Sequence, residues 1–432
     1  MISRTLREWE RIGYGEDDAL IPGAYADRIA AIAQRSAFAG RRGEGVLEHG
    51  RKSLRARGVV GVIATQGCQL EILPKIEKLG EPNPHDSDLR TRLIHMLGVV
   101  HDLPIDVGSM ARLGWQKDTV LELLIRVFCQ RLMDAVRQGM PRRYLSHEDD
   151  LPAMRGRLDV TRQFSQHAVA PQKLACRFDD LSPDIAMNQV MRAVITRLLS
   201  LAQAADNQRM LRELSFAYAD VTDVPSKALR WDLINLDRTT QRWRDLISFA
   251  RLFLSDRHQQ TSTGSVDGHA LLFEMNTLFE NYVARLLTRA TVGKGLRVVA
   301  QGGHRDCLYE GDEGRFRTKP DLIIREGERV VMVIDTKWKR IMPQIDDPKQ
   351  GVSQGDVYQL MAYSQLYNCP NVMLLYPHHG ELPPDQTCTR YTIGAKDAEA
   401  VLSVATLDLT GPSRRHMFDL TKLIDQCLSI SS

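Results

Sequence analysis

The 432-residue chain contains no uninterrupted apolar run near the ~18 residues of a membrane-spanning helix, which excludes an integral helical membrane protein. Its start, MISRTLREWERIGYGEDD, is charged throughout and lacks the apolar stretch of a secretory signal, so a cytoplasmic chain is expected. The seven cysteines lie far apart, with no C-x-x-C pair, which excludes zinc fingers and thioredoxin-type redox motifs and leaves reduced thiols as the reading. No GxxxxGK[ST] loop is present, since Gly293-Lys294-Gly295 has neither the spacing nor the hydroxyl residue. No G-x-S-x-G elbow is present either, which sets aside a Ser/His/Asp hydrolase. A net charge of +3 is nearly neutral and neither demands nor excludes nucleic acid, because binding needs a local basic surface. What remains, with 43% apolar and 26% charged residues, is the balance of an ordered globular chain.

The pattern of the sequence gives an α+β chain in three regions. Residues 1–115 carry short strand signals, the clearest being Ser53–Pro74, two β-rich runs around Gln66-Gly67 that read as a hairpin. Gly58 and Gly61 in its first run suggest a bend or bulge. Arg51, Lys52, Arg55 and Arg57 cluster in one limb and read as a solvated face. Residues 116–258 are mainly helical. Thr119–Gly139 places apolar residues at 120, 123, 124, 127, 128, 132 and 136, and Pro183–Ala205 and Gln241–Leu254 repeat that spacing. Met154–Phe164 between them reads as a basic strand, and the polar stretch His258–Gly268 as a linker. The third region, 269–432, predicts a long helix over Ala270–Ala290 and then strands, a helix near Gly355–Tyr367 and further strands. A helix near Asp419–Leu428 ends this α/β core with a mixed sheet.

The chemistry is concentrated in Lys319–Arg340, KPDLIIREGERVVMVIDTKWKR. Two apolar strands flank a short polar turn, and a tight hairpin centred on Glu328 sets Asp321 opposite Asp335. Directly opposed residues share a sheet face, with Cβ atoms about 4.5–5.5 Å apart. Lys337 joins that face by the strand's period of two. Two ionised carboxylates so close repel each other unless a cation intervenes. Oxygen donors without His or Cys favour a hard ion such as Mg²⁺. The chemistry implied is metal-assisted phosphodiester hydrolysis, with Lys337 orienting or deprotonating the attacking water. The plainer alternative is a surface salt bridge from Asp335 to Lys337 or Lys339. Five apolar residues, Val330–Ile334, running straight into Asp-Thr-Lys point instead to a strand buried on both faces that ends in a cleft. Gln359 and Tyr363 share one helix face and can brace the lysine or a nucleic-acid backbone. Glu280, in an otherwise apolar seam, is either an outer metal ligand or the solvent edge of its helix. His378-His379 has no further donor at ligand spacing and reads as a solvated turn.

The set Pro320-Asp321, Asp335-Thr336-Lys337 and Gln359-x-x-x-Tyr363 resembles the PD-(D/E)XK nuclease superfamily in its RecB-like branch. Several phrases are similar to the McrC family, the nuclease subunit of the McrBC 5-methylcytosine restriction system. They are ILPKI at 72–76, RGRLD at 155–159, LFENYVA at 278–284, KPDLII at 319–324, IDTKWK at 334–339 and YQLMAY at 358–363. The resemblance implies Mg²⁺ (with Mn²⁺ as a substitute) held by Asp321, Asp335 and the backbone carbonyl of Thr336. It gives Lys337 the activation of water and keeps Glu280, Gln359 and Tyr363 in support. It also implies double-stranded, methylated DNA as substrate and an McrB-like AAA+ ring, hydrolysing GTP or ATP, as partner in antiviral defence. The N-terminal part would dock into that ring and the hairpin at 53–74 would be the contact. Two other readings compete: a non-cleaving subunit that stimulates the ring, and a stand-alone RecB-like repair nuclease. The expected architecture is therefore a β-rich docking domain (1–115), a helical middle (116–258) and a PD-(D/E)XK endonuclease domain (269–432).

Overall fold

The computed structural model describes residues 2–40, 45–75, 85–103, 105, 118–167, 172–254, 268–341, 352–380, 382, 388–394 and 400–428. It is an α+β protein with mixed and antiparallel sheets. The chain divides into two compact units, Met1–Val120 together with Arg257–Ser432, and Leu121–Asp256. Among the described residues no helix is long and apolar enough to cross a membrane.

The N-terminal stretch of the first unit runs β1 (Ile2–Arg7), β2 (Arg11–Gly13), α1 (Gly23–Gln34), β3 (Leu47–His49), β4 (Ser53–Ala56), β5 (Val59–Thr65), β6 (Cys68–Leu73) and α2 (Asp86–Val100). β5 and β6 form the expected antiparallel hairpin, with Thr65 opposite Cys68 across Gln66-Gly67. Gly67 supplies the positive φ of +86° that the turn requires. In α1, Ala26, Ile29, Ala30, Ile32 and Ala33 make one apolar face, which packs on Ile63, Leu70 and Ile72 of the hairpin. Every residue of both strands is buried. The hairpin is thus the centre of a sheet, with Gln66-Gly67 as its accessible turn.

The second unit contains α3 (Val120–Arg137), β7 (Arg143–Leu151), β8 (Arg157–Leu158), α4 (Val160–Gln166), β9 (Leu174–Ser182), α5 (Ala186–Leu201), α6 (Ala205–Ala217) and α7 (Arg244–Leu254). Phe128 of α3 meets Phe249 and Phe253 of α7, the i and i+4 positions of one helix face. β7 and β9 pair along their whole length. The basic segment read as a strand over 154–164 is strand only at Arg157–Leu158. Asp159 then accepts a hydrogen bond from Arg162 N and starts α4 as its N-cap.

The chain returns to the first unit with β10 (Gly268–Glu274), α8 (Met275–Ala290), β11 (Leu296–Ala300), β12 (Asp306–Glu310), β13 (Glu313–Arg317), β14 (Leu322–Glu326), β15 (Arg329–Thr336), α9 (Gln354–Leu366), β16 (Asn371–Pro377), β17 (Cys388–Thr392), β18 (Val401–Leu407) and α10 (Ser413–Leu428). The linker expected over 258–268 lies outside the described residues except for Gly268, which opens β10. The helix expected from Ala270 starts only at Met275, because 270–274 are drawn into a strand by pairing with β5. That pairing needs Gly61: with φ +127°, a Cβ there would sit 2.0 Å from Leu271 O. The first sheet is ordered β1-β6-β5-β10 and the second β11-β14-β15-β16-β18-β17. In the second, β14 runs antiparallel to β15, whereas β15, β16 and β18 are parallel, the mixed sheet expected.

Candidate active site

The β14–β15 hairpin positions the carboxylates. Its turn is Gly327-Glu328, with Gly327 at φ +56°, so the two limbs begin paired one position away from the register expected of a centre on Glu328. A bulge between Ile324 and Arg325 then adds one residue to the β15 side, and Leu322 falls opposite Ile334. Continuing one step sets Asp321 against Asp335. β15 is buried on both faces, from Val330 at 5% exposed to Ile334 at 1%. Its polar end is held by the parallel strand beside it, where Lys337 N donates to Leu375 O at 2.9 Å. The apolar run therefore delivers Asp335 and Lys337 to a fixed point.

At that point Lys337 Nζ lies 2.6 Å from Asp335 Oδ2. Asp335 is 2% exposed. Burial first, and the neighbouring Asp321 second, push its pKa from the usual carboxylate range to about 6 even against the Lys337 charge. Asp321 is oriented by Thr336, whose backbone N and Oγ1 both donate to Asp321 Oδ2, at 2.8 and 2.9 Å. Burial works against the Lys337 ammonium, but Asp335, Asp356 and Asp321 together raise its pKa above the ordinary lysine value. Such a lysine keeps its proton at neutral pH. It can act as a base only if another cation takes over the charge of Asp335.

Glu280 belongs to this site. Its pKa is raised by burial and then by Asp321, with Asp335 adding to it, so the three carboxylates feel one another. Tyr363 is brought in as well: burial raises its pKa, and Asp335 and Asp321 add to that. Gln359 donates from Nε2 to Tyr363 Oη at 2.7 Å, so it braces the phenol. Two further residues were not singled out from the sequence. Asp356 faces Lys337 at 3.7 Å and Lys339 at 3.5 Å from the first turn of α9. Its signal was the S-x-x-D start of that helix, where Ser353 Oγ accepts from Asp356 N. Gln301, at φ +47°, donates from its backbone to Asp321 O and from its side chain to Glu280 Oε1, both at 2.8 Å. A lone glutamine before Gly302-Gly303 carries no pattern that would have marked it.

Among the described residues no group of three or more His, Cys, Asp and Glu side chains is gathered closely enough to cage a metal unaided. Carboxylate oxygens of this kind suit an ion that retains several waters, such as Mg²⁺, rather than zinc. The dipeptide His378-His379 is not the solvated turn expected. Each histidine is 4% exposed, with His378 Nδ1 2.7 Å from Thr406 Oγ1 and His379 Nε2 2.6 Å from Ile341 O.

A family model described as McrBC 5-methylcytosine restriction system component matches residues 54–377. No curated protein matches the chain. Among solved structures, a chain of a half-complex from a tetradecameric assembly of Thermococcus gammatolerans McrB AAA+ hexamers with bound McrC superposes with a TM-score of 0.72 at 20% identity. That match covers 98% of the present chain and 100% of the other. A chain of the cryo-EM structure of the Thermococcus gammatolerans McrBC complex gives a TM-score of 0.52, also at 20% identity, covering 70% and 89%.

Proposed function

The chain belongs to the McrBC 5-methylcytosine restriction system component family, and from that premise we propose that it is the DNA-cleaving subunit, a metal-dependent endonuclease loaded by an AAA+ partner. The observation that carries the reading is the opposed pair Asp321 and Asp335, with Lys337 at 2.6 Å from Asp335 at the end of a buried strand. In this reading β11, β14–β16 and α9 are the PD-(D/E)XK core. The residues fit Mg²⁺: a carboxylate 2% exposed whose pKa is raised to about 6 by burial and a second carboxylate is a site short of positive charge. Asp321, Asp335 and the Thr336 carbonyl would hold the ion, with Glu280 outside them. When bound, Mg²⁺ supplies Lewis acidity to a phosphoryl oxygen of the DNA backbone.

The chain's own residues do the rest. Thr336 fixes the rotamer of Asp321 through two hydrogen bonds. Lys337 holds a proton on Nζ and opposes the negative charge that develops as water attacks phosphorus and the P–O bond breaks. Tyr363, braced by Gln359, stands near enough to Asp335 and Asp321 for their charges to raise its pKa, and its phenol can contact the backbone of a bound strand. This sequence carries no phosphate-binding loop, and in this reading the AAA+ partner supplies the motor force. An McrB-like ring is the candidate, given the fold shared with a structure that holds McrB hexamers with bound McrC. The test is cleavage of methylated and unmethylated plasmid with Mg²⁺, by the chain alone and with the AAA+ protein encoded beside it plus GTP or ATP. The expected result is cutting of methylated DNA only in the complete mixture, abolished by Asp335→Ala. Cutting by the chain alone identifies a stand-alone nuclease. Stimulated nucleotide hydrolysis without cutting identifies a regulatory subunit.

A further inference from the structure

Between β1 and β2 the chain turns tightly, with Glu10 N donating to Arg7 O at 3.0 Å. Trp9 occupies that turn at φ +68°, a conformation that glycine adopts freely and a bulky side chain avoids. Yet Trp9 is not hidden in a core, where burial of the ring would offset the strain. It is 44% exposed. Its backbone is clamped by Ala56 O, which accepts from Trp9 N at 3.1 Å, and by Arg55 Nε, which donates to Trp9 O at 3.3 Å. The guanidinium carbons of Arg55 and Arg57 lie 5.8 and 5.4 Å from the ring centre, and both arginines pair with Glu48. A strained, clamped and solvent-facing indole flanked by two arginines is the kind of outlier that clusters at ligand contacts.

That surface lines a cleft of ≈ 720 Å³ with Arg57, Phe38, Glu274 and Asn276. The cleft lies beside the catalytic strand. Asn276 Oδ1 accepts from Trp338 N at 3.3 Å, and Glu8, next to Trp9, accepts from Trp338 Nε1 at 2.8 Å. Trp338 directly follows Lys337. A flat π face with guanidinium groups beside it recognises the face of a nucleobase, with the adjoining phosphate drawn to arginine. Within a duplex those faces are covered by stacking, so only an unpaired or extruded base presents one. Resting on the nuclease reading above, we propose that Trp9 and Arg57 form a stacking subsite for an unpaired base of the strand whose backbone reaches Asp335 and Lys337.

The test uses the full chain in EDTA, where hydrolysis is silent, and three oligonucleotides carrying 2-aminopurine: single-stranded, fully paired, and paired except for one bulged 2-aminopurine. The single-stranded and bulged probes are expected to bind with a change of emission. Trp9→Ala weakens both by about 5- to 100-fold and removes that change, Trp9→Phe restores most of the binding, and the paired probe is indifferent. Equal binding of the unpaired probes by a folded Trp9→Ala protein overturns the proposal, and if that protein also fails to bind the AAA+ partner the cleft is a protein contact. Should Trp9→Ala not fold, the unaltered chain decides: unchanged 2-aminopurine emission at saturation overturns it. Failure here leaves the nuclease reading intact, which depends instead on loss of cleavage in Asp335→Ala.

Discussion

Glu8 is 1% exposed, and its burial should be measurable as a pH dependence of stability. Oε2 accepts from Trp338 Nε1 at 2.8 Å and from Lys75 N at 3.2 Å, whereas Oε1 meets no hydrogen-bond partner among the described residues. Burial raises the pKa from the ordinary 4.5 to about 7, against the lowering effects of Trp338 and Lys75. The folded state therefore binds this proton more tightly than the unfolded one. By linkage, stability falls as pH rises from about 4.5 through about 7 and is flat above. At about 1.36 kcal/mol for each pH unit, the limiting loss is on the order of 3 kcal/mol. Glu8→Gln removes the titration while keeping an acceptor for Trp338. Any offset from the buried amide does not change with pH and drops out when the two proteins are compared across pH. Urea denaturation at pH 5 and pH 8 for both proteins is the assay. The unaltered chain should lose about 2–3 kcal/mol relative to Glu8→Gln between those values. Parallel stabilities would show that Glu8 does not carry an excess proton in the fold and would refute the reasoning.

Glu71, fully buried, accepts from Arg90 Nε and Nη2 at 2.9 and 2.7 Å and from Val120 N at 2.9 Å. Arg90→Met should therefore cost about 3–5 kcal/mol in a denaturation experiment, and adding Glu71→Gln should recover a large part of it. Gly61→Ala forces a Cβ to 2.0 Å from Leu271 O and should prevent soluble expression or lower the melting temperature sharply. Gly23→Ala, in a helix with nothing within 4 Å, should be neutral or stabilising by up to about 1 kcal/mol. If Asp335 holds the cation as proposed, it must be ionised, and with burial and Asp321 raising its pKa to about 6, cleavage at limiting Mg²⁺ should rise with pH through about 6. The rise should shift to lower pH at saturating metal, and a profile insensitive to metal concentration would count against the assignment.

The parts of the site that the sequence revealed are those written locally. Val330–Ile334 is apolar at every position because both faces of β15 are covered, and that continuous run marked where Asp335 and Lys337 would emerge. The facing of Asp321 and Asp335 was reached by a centre on Glu328. The real hairpin arrives at it through a turn at Gly327-Glu328 and a bulge at Ile324/Arg325, two departures that cancel. Ala270–Glu274 was misread because A-L-L-F suits a helix start and a buried strand equally. The pairing that decides between them lies some two hundred residues away, on β5. Val160–Phe164, within the segment 154–164 read as a strand, belongs instead to the helix that the capping aspartate, Asp159, starts. Gln301 and the burial of His378 and His379 depend on tertiary packing alone and left no local trace.

The pairing of β10 with β5 also sets a schedule for the growing chain. β5, Val59–Thr65, lacks its outer neighbour until Gly268–Glu274 has been made. At roughly 5–20 residues per second, the intervening two hundred residues take on the order of 10–40 s to synthesise. Throughout that interval an edge reading VVGVIAT, without charge or proline, is open to any strand that meets it. Residues 121–256, which form a compact unit of their own, are made within that interval. The nascent N-terminal stretch must wait for its closing strand, so slowed translation between residues 65 and 268 lengthens the time for which this edge stands open.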